Sequence, residues 1–322
     1  MSPTPLGPGS EFDIIRRVLK DAVPPGPQVA LASGDDCALI HKGDGGYLAI
    51  SVDLSVQDAH FIMEWGTPEL IGERAVRAAH SDVAAMAAQP IGTLVSLNVP
   101  EESGPSLAER VAAGCRAAAE QLGAPLIGGD LSHGGGSLVV DVIALGVVEK
   151  PLVRSGARPG DEIWVTGKLG AAAAAVRAWK AGENLKNEWR RRFWEPGSRI
   201  AEAVFLAEAG ASAAIDLSDG LLADAGHVAA ASGVGIEIDF DAVPVAEDVE
   251  TELALAGGED YELLVAVPGG VLNDEKVADF ASFFGIPLSR VGRTVSGSGV
   301  RVFHDGVEVE LESMGFDHFV GE

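Results

Sequence analysis

Cysteine is nearly absent from this 322-residue chain: Cys37 and Cys115 are the only two. Two cysteines build no disulfide framework, and neither lies in a CxxC. No Cys/His spacing of the zinc type appears. Cys115 falls on the apolar stripe Leu107, Val111, Cys115, Ala118, Leu122 and reads as a small core residue. Basic residues are also scarce, with 23 Lys and Arg against 48 Asp and Glu and a net charge of -25. That field repels nucleic acid and anionic membrane surfaces, so neither is expected as a partner. An anionic substrate would need a cation between itself and such a protein. No apolar run approaches the roughly 18 residues of a membrane span. The Pro/Gly/Ser-rich start, Met1 to Glu11, has neither a basic nor an apolar region of the signal-peptide kind. A soluble protein in a reducing, cytoplasmic setting is the expectation.

What is present is an alternation of strands and helices. Helix signals stand at Phe12 to Lys20 and at Thr67-Pro68-Glu69, where Thr67 is the N-cap. Further helices are expected at Leu107 to Leu122, after Gly167-Lys168-Leu169-Gly170, and at Leu221 to Ser232. Strands are expected at Tyr47 to Val52, Thr93 to Val99, Leu138 to Val148, Glu162 to Thr166, Ser212 to Leu217, Gly235 to Phe240 and Tyr261 to Val267. Val300 to Val309 reads as a hairpin turning at Asp305-Gly306. The segment Glu149 to Pro159 is poor in apolar residues and places a domain boundary. The expected organisation is a disordered tail over 1–10, an N-terminal domain over 11–149 and a C-terminal domain over 150–322.

Aspartates recur beside glycine or at strand ends: Asp35 and Asp36, Asp53, Asp82, Asp130, Asp216 and Asp219. Loops at strand ends are where α/β proteins place ligands. Gathered without basic partners, these carboxylates stay ionised only with cations between them. Oxygen-only donors suit Mg²⁺. Taken singly, each has a plainer role. Asp219 fits a helix cap, Asp35 and Asp36 a turn, and Thr67 and Ser106 caps. Asp82 differs, because it borders the apolar face of a helix and so needs a partner. There is no Walker A sequence and no GxGxxG. Gly167 to Gly170 opens a helix and fits either a phosphate cradle or an ordinary turn. Arg154 fits a guanidinium clamp or a surface arginine, and His60 a substrate contact or a surface histidine. No Ser-His-Asp or Cys-His arrangement is evident.

Taken in order, the motifs are Gly34-Asp35-Asp36, Ser51-Val52-Asp53 with His60-Phe61, Ser81 to Met86, and Ile127 to Asp130. Arg154 to Asp161, Ile215 to Leu221, Gly257 to Leu264 and Gly315 to Phe319 follow. This set resembles the bacterial thiamine-monophosphate kinases, of the aminoimidazole ribonucleotide synthetase-like superfamily. The resemblance implies an α/β (α+β) class and a two-domain aminoimidazole ribonucleotide synthetase-like fold. Its N-terminal domain would carry a dimer-forming sheet, and its C-terminal domain would be α/β. It implies a homodimer and in-line transfer from ATP to thiamine monophosphate with several Mg²⁺ ions and no acid/base residue. By motif position, Asp36, Ser51, Val52 (through its carbonyl), Asp53, Asp82, Asp130, Asp216 and Asp219 would hold metal. Gly129, Asp130, Arg154 and Ser218 would hold ATP, and His60, Glu259 and Phe316 the thiamine phosphate.

The chain departs from the pattern at three places. Ala79-His80-Ser81-Asp82 replaces Asn-Leu-Ser-Asp, Ala171 replaces an aspartate after Gly170, and the stretch Arg192 to Arg199 is unusual. Rival readings are another ATP-using member of the superfamily, or a cation- or nucleotide-binding module without turnover. Against the first, the chain lacks both the N-terminal Cys-Lys feature of the selenium enzyme and the terminal cysteine of the hydrogenase maturation factor.

Overall fold

A computed structural model describes residues 5–43, 45–311, 313, 315 and 316. The first half runs α1 (Ser10–Leu19), β1 (Val29–Leu31), β2 (Ala38–His41), β3 (Tyr47–Val56), α2 (Pro68–Ala85), β4 (Gln89–Val99), α3 (Pro105–Gln121), β5 (Leu126–His133) and β6 (Val139–Val148). The second half continues β7 (Glu162–Thr166), α4 (Ala171–Ala181), α5 (Asn187–Trp194), α6 (Ile200–Ala209), β8 (Ala213–Asp216), α7 (Leu221–Ser232) and β9 (Gly235–Asp239). It ends with α8 (Thr251–Ala256), β10 (Leu263–Val267), α9 (Asp274–Phe284), β11 (Leu288–Val295), β12 (Gly299–His304) and β13 (Val307–Val309). No helix of the described residues is long and apolar enough to cross a membrane.

The elements form two mixed sheets, ordered β1-β2-β3-β6-β4-β5 and β13-β12-β9-β11-β7-β10-β8. Alternating strands and helices would suggest parallel sheets, but here the parallel pairs are β4 with β5 and β12 with β9. The other pairs are antiparallel. The final hairpin turns at Asp305 and Gly306, at φ 51° and 76°. Both central residues are left-handed, as a type I′ turn requires.

In the first sheet, side chains alternate between two unlike faces. Ala49, Val140, Val142 and Ala144 are buried on the face covered by α2 and α3. The other face keeps Val52, Leu54, Ile91 and Ile127 exposed at 64, 49, 43 and 59%. α2 starts where Thr67 Oγ1 accepts from Leu70 N at 3.4 Å. Ser106 makes no cap: α3 begins at Pro105 after Gly104, with no side-chain cap bond.

α2 and α3 approach backbone to backbone. A Cβ on Gly114 would stand 1.9 Å from the Glu69 carbonyl oxygen, and one on Gly72 2.1 Å from that of Val111. Alanine outranks glycine in a free helix by about 1 kcal/mol, but here the obstacle is main chain on a neighbouring helix. Overpacking of this kind costs about 1–3 kcal/mol and outweighs the propensity gain. Gly114→Ala is therefore expected to lower Tm by several degrees in a thermal melt. A rise in Tm would show that the helices separate freely.

Candidate functional site

Three segments distant in sequence deliver carboxylates to one place. Asp36 lies between β1 and β2, Asp82 in the last turn of α2, and Asp216 at the end of β8. One oxygen of each lies within 4.8 Å of the others. Ser51, on the helix-facing side of β3, donates its hydroxyl to Asp82 Oδ2. Arg154 enters from the second half: Nη2 and Nε donate to Asp36 Oδ1 at 2.7 and 3.2 Å. Its backbone N–H faces both oxygens of Asp35, at 3.2 and 3.1 Å. Asp36 Oδ2 is buried with no partner among the described residues.

One guanidinium does not balance this many carboxylates. Burial and then Asp36 push Asp216 up from the usual carboxylate range to about 7. Burial and then Asp216 and Asp36 push Asp82 well above that range. Asp36 is raised by burial against the pull of Arg154. Asp53 is raised to about 6 by burial and then Glu259. Low solvation and like charge are the causes, and a cation among the oxygens reverses both.

A cavity of about 910 Å³ opens beside this cluster, lined by Asp53, His60, Asp82, Asp216, Ser218, Asp219, Glu259 and Phe316. His60 Nδ1 accepts from Val56 N at 3.1 Å. Asp219 does not cap α7, whose N-cap is Gly220. Asp224 instead accepts from the backbone N–H groups of Asp219 and Gly220, at 3.2 and 3.1 Å, and fixes the turn carrying Ser218 and Asp219. Phe316 N donates to the Asp219 carbonyl at 2.9 Å, which ties the C-terminal segment to the same turn. Of the motif from Gly315 to Phe319, residues 317–319 lie outside the described residues.

Gly129 and Asp130 are not brought to this cavity. Both are exposed on β5 and line a second cavity, about 860 Å³, between β5 and α3. Asp130 pairs in register with Ser96, and through Asp141 with Leu54, so it belongs to the row that includes the open face of the sheet. The Val52 side chain stands on that open face too. Arg154 is held by Asp35 and Asp36 rather than lining either cavity.

Several residues at the site were not singled out by the sequence. Arg74 is 2% exposed, pairs with Glu259 and places its guanidinium 4.4 Å over the Phe193 ring. Arg74, Ala78 and Asp82 fall on one side of α2 at spacings of four, and that periodicity could have revealed it. Tyr261 Oη donates to Glu259 Oε2 at 2.8 Å. Glu259 and Tyr261 both take left-handed backbone, φ 76° and 50°, a conformation that non-glycine residues rarely adopt and that clusters at functional sites.

The departures also find places. Ala79 is fully buried, and His80 turns away from the carboxylates to put Nε2 2.8 Å from Thr93 Oγ1. At the start of α4, Asp260 Oδ2 accepts from Gly170 N at 2.7 Å. The turn Gly167 to Gly170 thus receives an internal carboxylate, not a free phosphate cradle. Arg192 and Arg199 converge on the fully buried Glu262, which also accepts from Thr166 Oγ1 at 2.7 Å.

Models of the AIR synthase related protein family match this chain, the N-terminal domain over residues 34–148 and the C-terminal domain over 158–305. Thiamine-monophosphate kinase from Mycobacterium tuberculosis strain H37Rv is 36% identical over 274 residues, 81% of each chain. The Escherichia coli K12 thiamine-monophosphate kinase is 34% identical over 323 residues, 96% of this chain and 98% of its own. The chain belongs to the thiamine-monophosphate kinase family. Among solved structures, AaThiL complexed with AMPPCP and TMP is 30% identical with a TM-score of 0.80, covering 97% of both chains. The hydrogenase maturation protein HypE of E. coli, 22% identical with a TM-score of 0.70, shares the fold alone. The Escherichia coli relative and AaThiL thus match this chain nearly end to end.

Proposed function

We propose that this chain transfers the γ-phosphoryl group of ATP to the phosphate of thiamine monophosphate, giving thiamine diphosphate and ADP. The observation that carries the proposal is the convergence of Asp36, Asp82 and Asp216 beside a substrate-sized cavity whose wall includes Asp82 and Asp216. The names of the relatives, and the two ligands held by AaThiL, support the same reading.

The donor set fits Mg²⁺. It is all oxygen, it includes a buried carboxylate oxygen with no partner among the described residues, and burial, then like charge, holds the Asp82 and Asp216 carboxyls above their usual range. We assign Asp36, Ser51, Asp53, Asp82, Asp216 and Asp219 to the ions, with Val52 through its carbonyl, and Asp130, which lies apart from this cavity within one chain, to an ion that it would reach from a second copy. Gly129, Asp130, Arg154 and Ser218 are assigned to ATP, and His60, Glu259 and Phe316 to thiamine monophosphate. When bound, the ions neutralise charge on the phosphate oxygens. The chain itself positions the reactants. Asp224 stiffens the Ser218–Asp219 turn, and Arg74 and Tyr261 hold Glu259 in place. The accepting phosphate oxygen is already anionic, so no general base is needed, and alignment supplies the rest.

The proposal includes a homodimer, the domain division at 149/150 and a cytoplasmic setting, which suits the two free, buried thiols. The open apolar face of the first sheet is the surface that a second copy would cover, and Gly129 and Asp130 stand on the strand at its edge. Leu54→Asp places a charge on that face and is expected to yield monomer in sedimentation equilibrium. A dimer of unchanged stability would move the interface elsewhere. The activity itself is tested by ADP release with ATP, Mg²⁺ and thiamine monophosphate. No ADP above background would leave a binding module, and turnover with unphosphorylated thiamine instead would change the acceptor.

A further inference from the structure

The unusual stretch from Arg192 to Arg199 also builds an aromatic block that the transfer reaction leaves unexplained. Trp65 lies flat against Trp179, ring centroids 4.8 Å apart and planes 8° apart. Phe193 meets both edge-on, at 6.0 and 5.1 Å. Trp194 sits behind, almost fully buried, and its Nε1 donates to the Trp65 carbonyl at 3.2 Å. Gly66 makes room for it, since a Cβ there would fall 2.5 Å from the Trp194 ring. Phe193 and Trp194 are each 1% exposed, whereas Trp65 is only partly buried and lines the cavity that holds Glu259 and Phe316. Arg74 joins the two regions. It pairs with Glu259, lies over the Phe193 ring, and donates Nε to the Phe193 carbonyl at 3.1 Å.

We infer that Trp65 is a specificity-determining contact for the acceptor, reading a flat, electron-poor heteroaromatic ring attached to the phosphate ester. Trp179, Phe193 and Trp194 are positioning residues that fix its plane. The inference rests on the proposed transfer reaction and deepens it. One face of the indole is spent on Trp179, and the remainder stands in the cavity wall, locked at backbone and ring. An electron-rich surface held this rigidly binds a flat, electron-poor partner at little entropic cost. An aliphatic phosphate ester gains nothing from it.

The test uses the full chain with ATP and Mg²⁺. Trp65→Ala is expected to raise KM for thiamine monophosphate about tenfold, with KM for ATP unmoved and the loss lying in KM rather than kcat. Trp65→Phe, which keeps a ring, is expected to recover most of that loss. Trp194→Phe, which removes the donor to the Trp65 carbonyl and part of the ring packing behind it, is expected to show a smaller rise in the same KM. A second readout needs no turnover: thiamine monophosphate alone should quench the tryptophan fluorescence of the wild type and leave Trp65→Phe unquenched. Should Trp65→Ala fail to fold, the quench and the Trp194→Phe kinetics decide. A wild-type KM for the acceptor in Trp65→Ala would overturn the inference, as would a joint rise of both KM values, which marks general damage. Wild-type protein that releases no ADP overturns the transfer reaction instead, and the quench then still tests the contact.

Discussion

Asp216→Asn is expected to cost about a thousandfold or more in turnover, while the metal-free variant melts higher than the metal-free wild type. The two effects share one cause. Asp216 sits in a buried cluster with Asp36 and Asp82, and burial with Asp36 raises its carboxyl to about 7. In the folded protein without metal the group therefore holds its proton more tightly than in the unfolded chain. Folding then loses stability as pH rises from about 4 to about 7, and the loss is complete above that. Asparagine removes the term, so its advantage in EDTA should be present at pH 8 and absent near pH 4. Mg²⁺ should raise the melting temperature of the wild type far more than that of the variant. ADP release and thermal melts, each with and without Mg²⁺, check the pair of effects. Near-wild-type turnover at saturating Mg²⁺ would end the argument for a multi-ion centre. The same loss of turnover is expected of Asp53→Asn and Asp219→Asn.

Glu262→Leu is expected to destabilise the fold by about 3–5 kcal/mol, because it strands two arginines where water does not reach them. Glu262 is 0% exposed, and the side chains of Arg192 and Arg199 are 13 and 8% exposed. The carboxylate accepts from both and from Thr166. In a chain this long, that corresponds to a fall in Tm of roughly 10 °C. Glu262→Gln keeps one carbonyl acceptor and should fall between variant and wild type. The triple exchange Glu262→Leu, Arg192→Met, Arg199→Met removes the stranded charges and should recover much of the loss. A melt of Glu262→Leu within a degree or two of wild type would show that water reaches the arginines.

The parts of this structure visible in the sequence are those with local causes. Thr67-Pro68 marks the start of α2, Leu221 to Ser232 matches α7, and Asp305-Gly306 turns the last hairpin. The strand Glu162 to Thr166 also falls where its β-branched and aromatic residues put it. Strand order was not visible, because pairing across a sheet is decided by packing between segments distant in the chain. β5 was not expected, because Gly128 and Gly129 interrupt the apolar alternation, although the segment pairs in register with β4. Asp36, Asp82 and Asp216 could be grouped from sequence because carboxylates without basic neighbours need a shared cation. Asp130 carried the same signal, yet within one chain it stands on another strand edge. Arg74 and Glu262 were obscured because each stands near other charged residues in the sequence and looks like surface, while partners 185 and 70 residues away hold them inside.

The helix α2 carries Asp82 toward the carboxylates and Arg74 toward Glu259, eight residues earlier. At 1.5 Å of rise per residue, the two anchors are spaced by about 12 Å of helix axis. The rise of the helix therefore acts as a ruler between the carboxylate cluster and Glu259. Side chains between the two anchors can be exchanged without moving them, but the number of residues between them cannot change without moving one of them. A single residue inserted between Arg74 and Asp82 would turn the carboxylate by about 100° and take both ends out of step at once.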